Sequence, residues 1–160
     1  MTAAIQALES AGVRYNLLEY QHDPAAPAYG LEAAEKLNVP PARVFKTLVA
    51  EVDRRRLVLG LVPVAEKLDL KALAAAVQGR EAKMASASAA ERATGYQVGG
   101  ISPLGGREAL PVVIDERALA QERILISAGR RGAQLELAPQ DLVRLTGART
   151  ARLASPPPAY

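Results

Sequence analysis

Apolar residues recur along this chain with two different periods, and each change of period marks a border between a helix and a strand. Near the amino terminus, Ile5 and Leu8 fall on one helical face, Thr2 can cap the first turn, and Gly12 ends the pattern. By the same criteria, helices are predicted over residues 2–11, 30–37, 68–77, 88–94 and 139–145. Runs rich in β-branched residues predict strands over 13–20, 44–52, 57–62, 81–85, 110–114, 123–127 and 148–153.

Four polar residues, Asp53 to Arg56, separate two of these strands and predict an antiparallel hairpin. The irregular alternation of strands and helices, without a repeat or a linker, predicts an α+β fold. We expect a single compact domain over residues 1–153, with a mixed and curled β-sheet flanked by short helices. Residues 154–160 hold three prolines, which cannot pair inside a sheet, and are predicted to form a frayed tail.

A glycine-rich segment, residues 94–106, lies in the middle of the chain and holds five glycines within thirteen residues. Because glycine destabilises regular elements, such a run predicts backbone with positive φ, or backbone that closely approaches another group. A capping-box pattern from Ser88 to Glu91, with Gly95 as the stop, predicts a helix directly before the segment. A plain surface turn is the alternative, and the segment lacks the pattern of a nucleotide-binding P-loop.

The composition is that of a globular protein, with 49% hydrophobic and 23% charged residues among 160. No apolar run approaches the roughly 20 residues that cross a bilayer, and the first residues lack the basic and apolar regions of a signal peptide. We therefore expect a cytoplasmic protein without a membrane partner. The net charge of +3 and the pI near 9.4 favour an anionic partner, whereas 4% aromatics and no Trp argue against stacking on single strands.

Few side chains could act as catalysts. The chain has no cysteine and a single histidine, which excludes a disulfide, a thiolate zinc site, a cysteine nucleophile and a multi-histidine metal site. No Gly-x-Ser-x-Gly elbow accompanies His22, and its place beside Asp23 and Pro24 favours a hydrogen-bonding role in a loop over that of a base. Any hydrolysis would act on an already activated bond or use a borrowed nucleophile, and we expect no metal or organic cofactor.

Four segments together resemble the YbaK/EbsC family in sequence, order and spacing. They are Val44-Phe45-Lys46-Thr47-Leu48, Val62-Pro63-Val64-Ala65, residues 94–105 and Ile126-Ser127-Ala128-Gly129-Arg130-Arg131-Gly132. The resemblance covers residues 1–153 and implies a trans-editing domain related to the insertion domain of bacterial prolyl-tRNA synthetase. It further implies an aminoacyl-tRNA hydrolase of the Cys-tRNA(Pro) deacylase subgroup. Mischarged tRNA(Pro), and not DNA, is then the expected partner, with prolyl-tRNA synthetase as a candidate second partner.

The resemblance also implies which residues form the editing pocket. Lys46 and the pair Gly99 and Gly100 stand where the family has its pocket lysine and glycine loop. The residues expected to contact the substrate are Tyr20, Tyr29, Thr47, Ile101, Ser102, Ser127 and Arg130. Two positions depart from the family: Tyr29 stands where Phe is common and adds a hydroxyl, and Gln134 stands where Asp is common and removes a carboxylate.

The expected chemistry also follows from the bond to be cleaved. An aminoacyl ester is activated, so its hydrolysis needs orientation and oxyanion stabilisation more than a strong base. The backbone N–H groups of Gly99 and Gly100 are expected to approach the ester carbonyl, and Lys46 to hold the carbonyl, the ribose or a phosphate. In the cysteinyl subgroup, the resemblance implies that the substrate's own thiol attacks the ester and forms a cyclic thioester, which is then hydrolysed.

Three hypotheses stay open at this point: a Cys-tRNA(Pro) deacylase, a deacylase for Ala-tRNA(Pro) or another small mischarged residue, and a tRNA- or synthetase-binding module without activity. The presence of Lys46, Gly99 and Gly100 favours an enzyme over a binding module. Arg130 and Arg131 follow Ser127 closely and are predicted at the pocket rim, where tRNA phosphates could pair with them. Such pairing predicts an activity that falls steeply with salt.

Overall fold

The computed structural model describes residues 1–155, so five residues of the predicted tail, 156–160, lie outside the described residues. The α-helices are α1 (Ala3–Ala11), α2 (Tyr29–Lys36), α3 (Leu70–Ala76), α4 (Ala87–Thr94) and α5 (Pro139–Thr146). Two 3₁₀ helices cover Pro41–Arg43 and Glu116–Ala120. None of the helices in this part of the chain is long and apolar enough to cross a membrane.

The strands form three sheets. They are β1 (Asn16–Glu19), β2 (Phe45–Val52), β3 (Arg56–Pro63), β4 (Lys67–Leu68), β5 (Ala82–Met84), β6 (Val112–Asp115), β7 (Ile124–Ser127), β8 (Ala133–Leu137), β9 (Arg149–Ala151) and β10 (Ala154–Ser155). The sheet orders are β5-β2-β3-β6-β9, β1-β8-β7 and β10-β4. The five-stranded sheet is mixed, because β2 pairs antiparallel with β3 and β5 whereas β3, β6 and β9 run parallel.

The predicted hairpin is confirmed by the pairing of β2 with β3, whose register runs from Phe45 opposite Pro63 to Val52 opposite Arg56. At its tip, Asp53 takes a φ of +54°. This left-handed backbone is the one that tight hairpin turns use, because it matches the twist of the flanking strands. The first residues of β2 therefore lie at the end of the hairpin that is remote from the tip.

The two larger sheets meet at the start of β2. Val44 forms an isolated parallel bridge with Leu125 of β7, and both side chains are buried. The bridge joins the sheets into one curled β-structure and brings the start of β2 beside the ends of β7 and β8. The predicted α+β fold, with a mixed and curled sheet flanked by short helices, is confirmed.

Apolar packing holds this arrangement together. The largest buried cluster joins α1 to both sheets and includes Leu8, Phe45, Leu61 and Ile126, each at most 2% exposed. Burial of a side chain of this size contributes roughly 1.5–3 kcal/mol relative to leaving it exposed. The core thus anchors β2 and β7 from behind and leaves their ends free to form a site.

Two predicted boundaries are wrong. The N-cap of α4 is Ser86, whose hydroxyl accepts a hydrogen bond from the Ala89 N–H, so the capping box at Ser88 does not form. The helix predicted to begin at residue 68 begins at Leu70 instead, because Lys67–Leu68 pairs with Ala154–Ser155 as β4 and β10. Ala154 and Ser155, which were predicted to lie in the tail, are therefore part of a β-sheet.

Strand β8 is absent from the predictions above. Its alanine, leucine, glutamine and glutamate residues are typical of helices, so the segment lacks the β-branched composition on which the strand predictions rest. In the structure Ala133, Leu135 and Leu137 are fully buried, as the alternation indicates. The omission matters for function, because Gln134 lies on this strand.

Candidate active site

A cavity of about 340 Å³ opens between α2, β2, α4 and the glycine-rich segment. This volume lies at the lower end of the range of about 300–1,000 Å³ that small-molecule sites occupy. Six of the predicted site residues line it together: Tyr29, Lys46, Thr47, Gly99, Ile101 and Ser127. Most of the other lining side chains are apolar, and Gln134 adds an amide. A few polar groups therefore line a mainly apolar pocket.

Lys46 is the one basic side chain among the described residues that line the cavity. Helix α2 covers it closely, because a Cβ at Gly30 would lie 4.0 Å from the Lys46 Cβ and 2.4 Å from Val64 Cγ1. Burial lowers the pKa of the Lys46 ammonium below its usual value. The ammonium forms no ion pair with any described residue, so it is free to donate to a ligand.

Two buried side-chain oxygens in the cavity lining have no hydrogen-bond partner among the described residues. They are the Thr47 hydroxyl on β2 and the Gln134 amide oxygen on β8. Gln134 is only 7% exposed. A buried polar atom without a partner costs roughly 1–3 kcal/mol, so a site that keeps two of them is suited to a polar ligand.

The two adjacent glycines of the segment have different surroundings. Gly99 lines the cavity with a φ of +93°, and a Cβ there would lie 2.7 Å from the Tyr29 ring and 2.8 Å from the Arg131 Nε. Gly100 is buried behind it, where a Cβ would lie 2.7 Å from the Arg130 Cα. Close approach explains both glycines, but only Gly99 faces the ligand space.

The N–H groups of this segment are not equally available. The Gly100 N–H donates to the Gln97 carbonyl at 2.8 Å, and the Val98 N–H donates to the Glu91 carboxylate at 2.8 Å. The Gly99 N–H makes no hydrogen bond to a described residue. The expectation of a pair of donors at Gly99 and Gly100 is therefore corrected, because the Gly100 N–H already closes a turn.

The two arginines that follow Ser127 point in different directions. Arg130 is exposed and pairs with Glu19 on the surface, outside the cavity lining. Arg131 instead donates from Nε and Nη2 to the Val98 carbonyl, at 2.9 and 2.7 Å. Its guanidinium carbon also lies 4.9 Å from the centre of the Tyr29 ring. The sequence placed Arg131 at the rim, and its inward contacts were not predicted.

Three further predicted site residues have distinct surroundings. Ser127 lines the cavity, and its hydroxyl accepts from the Gly129 N–H at 3.2 Å. Ser102 lies outside the cavity lining and is 1% exposed, and its hydroxyl accepts a hydrogen bond from the Leu104 N–H. Tyr20 also lies outside the lining. Burial and the charge of Glu32 raise the pKa of its phenol, while the backbone of Gly132 and the side chain of Gln134 act in the opposite direction.

His22 belongs to a polar network beside the cavity. Its Nδ1 lies 2.7 Å from the Glu32 carboxylate, which also accepts from the Asp23 N–H and the Lys36 ammonium. Burial alone would raise the pKa of Glu32, but these contacts lower it to about 2. The His22 ring also lies 5.6 Å from the Tyr29 ring. His22 is thus a hydrogen-bonding loop residue, as the sequence indicates.

The described residues contain no group of three or more His, Asp or Glu side chains that could hold a metal ion. The chemistry available in the cavity is therefore that of an ammonium, a backbone N–H, two unpartnered oxygens and two other hydroxyls, on Tyr29 and Ser127. Donors of this kind stabilise a developing oxyanion. The fold and the cavity together define a small α+β domain with a pocket for a polar ligand.

Comparison with known proteins names the class. Residues 24–145 match the model of the aminoacyl-tRNA editing domain. The chain is 37% identical over 122 residues to EbsC of Enterococcus faecalis, which is provisionally named a Cys-tRNA(Pro)/Cys-tRNA(Cys) deacylase; the match covers 76% of this chain and 74% of EbsC. A crystal structure described as a candidate trans-editing enzyme for prolyl-tRNA synthetase superposes with a TM-score of 0.80 at 27% identity, covering 97% and 98% of the two chains. That of the hypothetical protein APE2540 gives 0.86 at 25% identity, with 96% and 100% covered.

The chain therefore belongs to the aminoacyl-tRNA editing domain family, and the family predicted from the sequence is confirmed. Editing removes an amino acid from tRNA by hydrolysis of its ester bond. The predicted class of enzyme, an aminoacyl-tRNA hydrolase of the trans-editing type, is thus confirmed as well, with tRNA as the partner.

Proposed function

We propose that this chain hydrolyses mischarged Cys-tRNA(Pro) in trans in the cytoplasm, with prolyl-tRNA synthetase as a second partner and without a metal or organic cofactor. One observation carries the proposal: Lys46, Thr47, Gly99 and Gln134 line one cavity, and each keeps a polar group without a partner among the described residues. The names of EbsC and of the similar trans-editing enzyme support the cysteinyl group and the prolyl system.

The cavity lining offers no activated nucleophile among the described residues. The Ser127 hydroxyl accepts from the Gly129 N–H, and no histidine or carboxylate contacts it. The only histidine is bound to Glu32 outside the lining. Hydroxyl attack requires an adjacent base, so the attacking group has to come from the substrate or from water.

A cysteinyl substrate brings such a group with it. In the proposed reaction the thiol sulfur bonds to the ester carbonyl carbon, the bond from that carbon to the ribose oxygen breaks, and the thiol proton passes to the ribose oxygen. Water then opens the cyclic thioester and releases cysteine. The Gly99 N–H and the Lys46 ammonium would stabilise the negative charge on the carbonyl oxygen. Loss of one donor of this kind costs about 10²–10³ in kcat.

The two unpartnered oxygens suit the other end of the same substrate. A free amino acid ester carries an α-ammonium, which donates hydrogen bonds and accepts none. The oxygens of Thr47 and Gln134 are unpartnered acceptors on residues of the lining, and both are buried from water. Hydrogen bonds between a charged donor and buried acceptors are worth about 1.5–3 kcal/mol each, enough to orient the acyl group for attack.

The decisive experiment measures deacylation of tRNA(Pro) charged with cysteine, serine, alanine or proline by the wild type, Lys46→Ala and the surface control Lys71→Ala. We expect cysteine to be released fastest, with a large loss in Lys46→Ala and none in Lys71→Ala, which lies on an exposed position of α3. Release of none of the four would overturn the deacylase proposal. Preference for alanine would overturn the substrate assignment, and equal rates for cysteine and serine would exclude the substrate thiol.

A further inference from the structure

We propose that Arg131 is a positioning residue, which holds the peptide between Val98 and Gly99 so that the Gly99 N–H faces the ester to be cleaved. The proposal rests on the deacylase activity proposed above. It assigns a function to a side chain that neither the cavity lining nor the family resemblance marks as part of the reaction.

The first support is the contact itself. Both Nε and Nη2 of Arg131 donate to the single carbonyl oxygen of Val98, at 2.9 and 2.7 Å. In a planar trans peptide the C=O and the following N–H point in opposite directions. Because the carbonyl of this peptide is held toward Arg131, the Gly99 N–H points away from it. Gly99 itself lines the cavity, and its N–H makes no hydrogen bond to a described residue.

The second support is that the guanidinium is fixed from another side. Its central carbon lies 4.9 Å from the centre of the Tyr29 ring, a cation–π distance. Tyr29 stands in the first turn of α2 and lines the cavity. The guanidinium therefore connects three parts of the site: the first turn of α2, the turn after β7 and the glycine-rich segment.

The third support is that the glycine leaves space for this contact. A Cβ on Gly99 would lie 2.8 Å from the Arg131 Nε and 2.7 Å from the Tyr29 ring, so another residue here would displace one of the two groups. Gly99 also has a φ of +93°, and a glycine can reach several other conformations at similar cost. The turn closed by the Gly100 N–H can form with either orientation of its central peptide, and the Arg131 contact with the Val98 carbonyl favours the observed one.

A lysine cannot replace this arrangement. The planar guanidinium donates along two parallel directions in its plane and presents a flat face to an aromatic ring, whereas an ammonium is a compact point charge on a flexible stem. Arg131→Lys keeps the positive charge and much of the stem but loses the forked contact with Val98. This variant therefore separates the geometry of the contact from the charge.

The activity test compares the wild type, Arg131→Lys, Arg131→Ala and a matched control. Arg43→Lys serves as the control, because Arg43 is also partly buried and donates from Nε to a backbone carbonyl, that of Arg123, outside the cavity lining. We expect both Arg131 variants to lose about 10²–10³ in kcat, the effect of losing one oxyanion donor, with KM changed far less. Arg43→Lys should retain the kcat of the wild type.

Chemical rescue and NMR spectroscopy test whether the role of Arg131 is merely structural. Guanidinium at low concentration should raise the kcat of Arg131→Ala, while ammonium at the same ionic strength should not. In the isolated protein, Arg131→Lys should shift the Val98 carbonyl carbon and move or split the Gly99 amide signal, and Arg43→Lys should leave both unchanged. Because the NMR test needs no substrate, it decides the placement of the peptide even if the deacylase proposal fails.

Three outcomes would overturn the proposal. An unchanged Gly99 amide signal in both Arg131 variants would show that the peptide is held without Arg131. A loss of activity carried by KM alone would place Arg131 in substrate binding. An equal loss of kcat in Arg43→Lys would show that the loss in the Arg131 variants comes from general destabilisation. Inactivity of the wild type on every mischarged tRNA, with the expected NMR changes, would instead remove the deacylase proposal.

Discussion

Ser127 and Gln134 stand directly opposite each other in the β7-β8 pair, and both side chains line the cavity. Opposed residues of an antiparallel pair point to the same face of a sheet, so the turn between them fixes their spacing. The Ser127 hydroxyl is occupied by the Gly129 N–H, whereas the Gln134 amide oxygen has no partner among the described residues. The pair therefore places one satisfied and one unpartnered polar group at the cavity wall.

Replacement of Gln134 by methionine should separate stability from activity. Methionine has nearly the same shape and removes the unpartnered oxygen together with the amide that acts on the Tyr20 phenol, so the two effects oppose each other and the free energy of unfolding should change by no more than about 1 kcal/mol. If this oxygen binds the substrate ammonium, kcat/KM should fall about tenfold or more. Urea unfolding and deacylation kinetics measure the two effects, and Gln140→Met on the exposed face of α5 is the control. Lower stability with full activity would make Gln134 a structural residue.

The pH dependence of the reaction should reflect the environment of Lys46. Burial lowers the pKa of its ammonium below the ordinary value of 10.5. A step that needs the cation is supported at low pH and loses that support as the pH rises through the lowered pKa. The contribution of Lys46 is the rate of the wild type minus that of Lys46→Ala, each corrected for spontaneous ester hydrolysis. This difference should decline with rising pH, and the decline should begin below the pH at which a free lysine loses its proton. A difference that keeps growing up to pH 10.5 would contradict this.

Glu32 should make the fold sensitive to acid. Its pKa is about 2 in the folded state against 4.5 for an ordinary glutamate, because the Asp23 N–H, the His22 ring and the Lys36 ammonium offset the effect of burial. A lowered carboxylate pKa stabilises the fold above pH 4.5, and this stabilisation is lost as the pH falls toward 2. Glu32→Gln should cost about 1.5–3 kcal/mol at pH 7, and the difference from the wild type should shrink below pH 4.5. Urea titrations at several pH values measure it.

Glu35→Gln is the matched control for this prediction, because Glu35 lies on the same helix and is exposed. It should change the free energy of unfolding by no more than about 0.5 kcal/mol at any pH. A pH profile of Glu32→Gln that runs parallel to that of the wild type would exclude the linkage. Because the His22 ring lies 5.6 Å from the Tyr29 ring, loss of the network should also be visible in the Tyr29 ring signals.

Local chemistry made much of the fold predictable. Thr2 and Gly12 cap α1, Gly95 ends α4 and Gly147 ends α5, as the sequence indicates, since a cap depends on residues within one helical turn. The hairpin of β2 and β3 was also predictable from a polar tip between two apolar runs. The N-cap of α4 was not, because Ser86 and Ser88 are chemically equivalent and only the surrounding packing chooses between them.

The site was predictable only where its residues stand in segments that resemble the family. Lys46, Thr47 and Gly99 were identified through the family resemblance, and the structure brings them to one cavity. The inward contact of Arg131 was not predictable, because it joins residues 33 positions apart through a side chain and a carbonyl. The sequence alone does not distinguish the contacts of Arg130 from those of Arg131. Which of them faces inward depends on the register of β7 with β8, a strand that composition concealed.

The outward arginine should connect the enzyme to the charge of its substrate. Arg130 pairs with Glu19 on the surface, and an exposed pair of this kind is worth about 0–1 kcal/mol, so a phosphate of the tRNA acceptor end can replace the carboxylate. Each phosphate contact with a single strand adds about 0.7 to the slope of log(kcat/KM) against log salt. Arg130→Ala should lower the steepness of the slope by about that amount, and Glu19→Gln should raise kcat/KM at low salt because it releases Arg130.

Arg144→Ala, which breaks a pair with Asp141 on α5, is the control and should leave the slope unchanged. A slope that is the same in Arg130→Ala and in the wild type would mean that Arg130 contacts no phosphate and that its only contact is with Glu19.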